Sequence, residues 1–182
     1  MSVLDRYAKL AGMSEEAWRR HANPWSVWTR FAAIPLAVLA IWSRTWIGWW
    51  ALVPLALVAL WLWANPHAFP PVGTPVAWSS RGIYGERLWL ADRSRMPTGF
   101  AVVQRVWVAG ALAGVAVLAW GLIALEVWPT VFGATLVVYG QLWRIDRLGI
   151  FYDQATAGSA EQGAPPVVPG VPDPGRAGEQ PA

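Results

Sequence analysis

Two histidines and one carboxylate are the residues of this chain whose types and placement suit chemistry. His21 opens the stretch HANPWSVWTR, His67 lies within WANPHAFP, and Glu86 follows in SSRGIYGERLWL. Two imidazoles and a carboxylate can hold zinc or a non-haem iron and leave a position open. Against that metal site stands a plainer reading. The two histidines form no HxxxH or HxxE array and are too few for a di-iron centre, so capping and charge pairing suit His21, His67 and Glu86 better than a metal site does. There is no cysteine, no GxSxG elbow and no GxxxxGK[ST] loop, which removes thiol catalysis, the serine-hydrolase template and the phosphate loop. No catalytic residue and no cofactor is assigned.

These residues belong to a wider polar set comprising His21, Asn23, Arg30, Asn65, His67, Arg81, Glu86 and Arg87. Asn23 before Pro24 is an N-cap followed by a first-turn proline, and Ser14 with Glu15 and Glu16 opens a short helix that ends near Arg20. Asn65-Pro66 stops a helix, because proline restricts the residue before it. Glu86 is the expected partner of Arg30, Arg81 or Arg87, giving an ion-paired plug. The stretch from Trp78 to Leu90 reads as an interfacial turn and half-helix.

The elements that must position this set are apolar. Of 182 residues, 55% are hydrophobic and only 14% charged, with mean hydropathy +0.35; soluble domains carry about 25% charged residues. A bilayer core of ~30 Å takes roughly 20 apolar residues per helix. Four windows approach that length: Trp25 to Trp42, Thr45 to Ala64, Val106 to Leu125 and Val127 to Trp143. The short joints at Ser43-Arg44 and Glu126 to Pro129 predict two tight antiparallel hairpins. Pro35 and Pro54 fall mid-window and predict kinks. The expected fold is an all-α, polytopic four-helix membrane bundle with a cytoplasmic interfacial loop.

All Lys and Arg residues except Arg44 fall on one side of this map, so the positive-inside rule places both termini and the loop 65–105 in the cytoplasm. No cleavable signal peptide is visible in the first 24 residues, which mix acids and bases. Eleven of the 15 tryptophans fall at the proposed edges, among them Trp25, Trp63 and Trp143 at the inner one and Trp46, Trp49, Trp50 and Trp128 at the outer one; Trp120 lies deeper, and Trp18, Trp78 and Trp89 lie outside the spans. Gly110, Gly114 and Gly121 mark one side of the third helix, and Gly133 and Gly140 repeat in the fourth. That pattern suits a close seam between the two, or a homo-oligomer interface. The basic residues are scattered rather than clustered, which argues against nucleic acid.

The organisation is thus a cytoplasmic segment 1–24 with its short helix, a membrane domain 25–154, and a tail 155–182 whose prolines and glycines predict disorder. The three polar blocks between Trp18 and Arg95 resemble those of a family of small prokaryotic integral membrane proteins catalogued as a domain of unknown function. The resemblance implies a membrane domain and supplies no activity; its motifs do not reach the third and fourth helices or the tail. The expected function is non-enzymatic: the polar set from His21 to Arg87 forms a cytoplasmic cap that binds a membrane partner or anionic lipid headgroups. A small membrane enzyme with a His/Glu metal site and an oligomeric transporter or channel are the alternatives.

Overall fold

A computed structural model describes residues 14–91 and 99–161, without the side chains of 101 and 159–161. Every regular element among the described residues is helical. Helix α1 spans Glu15–His21, and Ser14 Oγ accepts from the Ala17 N–H at 3.1 Å. Acids fill its first turn and Arg19, Arg20 and His21 its last, matching the helix dipole. Helix α2, Pro24–Trp42, is capped by Asn23, whose Oδ1 accepts from the Trp25 N–H at 3.0 Å.

The turn after α2 differs from the two-residue joint expected. A short helix α3 (Arg44–Ile47) and a 3-10 turn (Gly48–Ala51) precede α4, Leu52–Ala68. Gly48 has φ +56°, a conformation side-chain-bearing residues disfavour, and this breaks the helix that an unbroken window from Thr45 implied. Pro54 therefore lies in the first turn of α4, where its missing N–H breaks no helical bond, and only Pro35 remains mid-helix in α2. Asn65-Pro66 does not stop α4, which continues to Ala68.

The later elements also run longer than their apolar windows. Helix α5 covers Trp78–Ala91, α6 Phe100–Ala124 and α7 Val127–Glu161. The 35 residues of α7 reach about 52 Å. Residues 155–161, expected within a disordered tail, are its last two turns; the remainder of the tail lies outside the described residues. Two helical stretches have the length and apolarity of a membrane crossing: Pro24–Ala68, which folds back on itself, and Val102–Ala124.

Glycines decide how the helices approach. A Cβ on Gly133 would stand 2.3 Å from Leu118 N, one on Gly121 2.4 Å from Thr130 N, and one on Gly114 3.0 Å from Leu136 Cβ. The α6–α7 seam is thus built by three of the expected glycines, whereas Gly110 faces open space. A second seam was not expected: Gly82 and Gly85 press α5 onto α7, a Gly85 Cβ falling 1.9 Å from the Leu148 carbonyl oxygen. Helix α5 is consequently buried along most of its length instead of lying on a surface. It joins α1, the start of α2 and the second half of α7 around a core of Trp18, Ala22, Val27, Ile83, Tyr84 and Ile145.

At the opposite end Arg44 donates from Nη2 to the carbonyls of Leu122 and, at 3.3 Å, Ile123, tying the first hairpin to the last turn of α6. That helix ends on Leu125 with φ +59°, a left-handed position usually given to glycine.

Gly85→Val and Gly133→Val should each lower unfolding stability in detergent by roughly 2–4 kcal/mol. Gly110→Ala and Leu125→Gly should each raise it, by roughly 0.5–1 kcal/mol. Thermal unfolding of the four variants, followed through tryptophan fluorescence, checks both signs.

Candidate functional site

The two Asn-Pro stretches meet where α2 begins and α4 ends. Ser26 Oγ donates to Asn65 Oδ1 at 2.7 Å, and Asn65 Nδ2 donates to Thr29 Oγ1 at 2.8 Å. Thr29 Oγ1 in turn donates to the Trp25 carbonyl at 2.7 Å. Asn65 is 0% exposed, so these bonds offset the cost of burying its amide. Asn23 donates from Nδ2 to the Pro70 carbonyl at 3.1 Å, holding the chain that leaves α4. Ser80 Oγ on α5 donates to the Ala22 carbonyl at 2.7 Å between α1 and α2.

The ion pairs differ from those the spacing implied. Glu86 takes Arg144 of α7, Arg87 forms a two-pronged pair with Glu15 of α1, and Arg81 takes Asp153 at 3.3 Å. The reason is the α5–α7 seam. It sets Glu86 and Arg81 against the extension of α7 beyond Trp143, a stretch that apolar windows do not register. Arg87 is nearly buried, its side chain 7% exposed, and its carboxylate partner offsets a large desolvation cost.

Arg30 has a different neighbour from the carboxylate expected. Its Nη1 lies 2.6 Å from His21 Nε2 and its Nη2 donates to the His21 carbonyl at 3.2 Å. Both side chains line a cavity of about 240 Å³. Glu86 and Ile83 enter it from α5, and Gln141, Arg144 and Ile145 from α7. Val27, Phe31 and Ile34 share the α2 face with Arg30, at helical spacing. Arg144 also lies over the Trp107 ring, 5.1 Å from its centroid. Burial, reinforced by Arg30 and Arg144, pushes His21 down to about 3, so its imidazole is neutral at pH 7.

His67 stands elsewhere. It is exposed, beside the Trp63 ring, and does not line the cavity that His21 and Glu86 share. Among the described residues no three His, Asp or Glu side chains are grouped so as to hold a metal ion. His21, Arg30 and Glu86 are thus brought together, Asn23 and Asn65 serve the joints around them, and Arg81 and Arg87 lock α5 in place. Sequence reading missed Gln141 and Arg144. Their signal was present in the i, i+3, i+4 spacing of Gln141, Arg144 and Ile145 at the end of an apolar window.

A family model described as a family of unknown function, DUF6653, matches residues 2–169. The chain belongs to that family. Comparison with curated proteins and with solved structures finds no match. The DUF6653 match extends well past the polar blocks between Trp18 and Arg95, taking in α6 and α7 as well as the whole polar set from His21 to Arg87. In this DUF6653 member the site therefore lies wholly within the matched region.

Because His21 binds its proton near pH 3 when folded and near 6.5 otherwise, the unfolded chain holds more protons between those values. Stability should fall as pH is lowered through that window, and His21→Gln should flatten the dependence. Melting temperatures measured from pH 7 to pH 4 in one detergent test this; an unchanged slope in His21→Gln would count against a neutral, buried His21.

Proposed function

We propose that the chain is a multi-pass protein of the cytoplasmic membrane, crossing it four times through α2, α4, α6 and the first half of α7. Both termini and the cap lie in the cytoplasm. There the cap binds anionic lipid or a membrane partner and performs no catalysis. The observation that carries this reading is the distribution of uncovered apolar side chains. Leu36 and Leu39 on α2, Leu57 on α4, Leu112 and Ile123 on α6 and Phe132 on α7 are all more than half exposed. Patches of this extent are not left to water, and lipid would satisfy them.

The ends of the helices support the same orientation. Trp46, Trp49, Trp50 and Trp128 are 75–87% exposed near the turns that join the helix pairs, the chemistry of an interfacial aromatic belt. The opposite end carries the charged cap, with Arg19 exposed and others paired. Each basic residue at an anionic surface contributes about 1 kcal/mol. A His/Glu metal enzyme has less support, since His67 lies outside the cavity lined by His21 and Glu86.

The absence of native cysteine makes topology directly measurable. Thr45→Cys and Glu126→Cys should react with a membrane-impermeant maleimide added to intact cells, and Gly158→Cys only after permeabilisation. Labelling of Gly158→Cys in intact cells would place α7 the other way up and sink the cytoplasmic cap.

A further inference from the structure

The cavity between the cap and the apolar helices has an unbalanced charge. Arg30 and Arg144 bring two positive charges and Glu86 one negative, while His21 is neutral at pH 7. Glu86 is committed to Arg144. Among the described residues no carboxylate is paired with Arg30, whose guanidinium rests on an imidazole and a carbonyl. Nε of Arg144 is buried without a hydrogen-bond partner. A partly buried guanidinium without a carboxylate favours an anion beside it.

The shape adds a second requirement. Along α2, Ile34 stands one turn beyond Arg30 and away from α1; along antiparallel α7, Gln141 stands one turn before Arg144 in the same direction. The charged end therefore adjoins the cap, and the end bounded by Phe31 and Ile34 runs into the apolar stretch Pro24–Ala68. A volume of about 240 Å³ holds about eight water molecules. That suits an anionic group with a few attached carbons and leaves the rest of a chain outside.

We propose that this cavity binds the headgroup of a monoanionic amphiphile, its charge between Arg30 and Arg144 and the start of its chain along Phe31 and Ile34. The proposal rests on the membrane reading above and deepens it, replacing a diffuse basic surface by one site of defined stoichiometry. Arg30 is the specificity residue, because among the described residues that line the cavity its guanidinium is paired with an imidazole and a carbonyl rather than with a carboxylate.

Native mass spectrometry of the full chain in mild detergent, titrated with phosphatidylglycerol or with phosphatidylcholine of the same acyl chains, tests it. One phosphatidylglycerol per chain should survive activation that strips phosphatidylcholine. Arg30→Gln should weaken that binding about tenfold or more, Arg30→Lys should retain most of it, and Arg19→Gln, on the exposed cap surface, should weaken it clearly less than Arg30→Gln does. Gln141→Trp, which fills the apolar end without altering charge, should also abolish it, so the result does not depend on the folding of one variant. Equal losses in Arg30→Gln and Arg19→Gln would reduce the effect to surface attraction and overturn the site. Displacement by excess inorganic phosphate would overturn the amphiphile as its ligand. Carbonate washing of the source membranes separates the two levels: a chain that stays in the membrane yet retains no phosphatidylglycerol refutes the site alone, and a chain that is washed off refutes the membrane reading.

Discussion

The contact on which the rest of the structure depends is the approach of α5 to the second half of α7. Gly82 and Gly85 present bare backbone where any side chain would collide with Ile145 or the Leu148 carbonyl. At that spacing Glu86 meets Arg144, Arg81 meets Asp153 and Trp78 Nε1 donates to Asp146 at 3.2 Å, so one helix face is fastened at three points along its partner. The opposite face of α5 then receives α1, through Ser80 on the Ala22 carbonyl and Arg87 on Glu15. Without the glycines the polar groups would stand a side chain further apart and the charges would be left half-desolvated.

The molecule divides into two parts that are stabilised differently. In the cap, burial and paired polar groups act together: Asn65 is completely enclosed but bonded on both sides of its amide. In the apolar part the α6–α7 pair is held by glycine contacts. The hairpin of α2 and α4 touches that pair more lightly, through α2 and through Arg44 at the far end. On the membrane reading proposed above, no hydrophobic gain favours association of these helices in lipid, and close backbone packing with a few hydrogen bonds holds them. The cavity lies where the two parts join, with charged groups from the cap and apolar walls from the helices.

His21 and Arg30 illustrate how that junction sets chemistry. An imidazole in water would be partly charged near neutral pH, but burial between two guanidinium groups keeps it neutral and able to accept from Arg30. The pair thus retains a single positive charge where a carboxylate partner for Arg30 would have cancelled it.

Much of the architecture could be read from residues alone. Apolar length, the sparse charges, the caps at Ser14 and Asn23 and the glycines at 114, 121 and 133 all act locally or along one helix, and their physical consequences follow from spacing. The helical class and the α6–α7 seam came from that. Partner choice did not. Whether Glu86 pairs with Arg30, Arg81, Arg87 or Arg144 depends on how α5 is rotated against α7, and the deciding groups are two glycines with no charge or hydropathy to announce them. The early break at Gly48 and the run of α7 to Glu161 were hidden for a related reason, because a backbone angle and a tertiary contact, rather than composition, determine where those helices begin and end. Sequence determined which segments are helical and which residues are polar enough to form a site; only the packing of α5 onto α7 decided which of them share a cavity, since ion pairs form between groups that neighbouring backbones bring within reach.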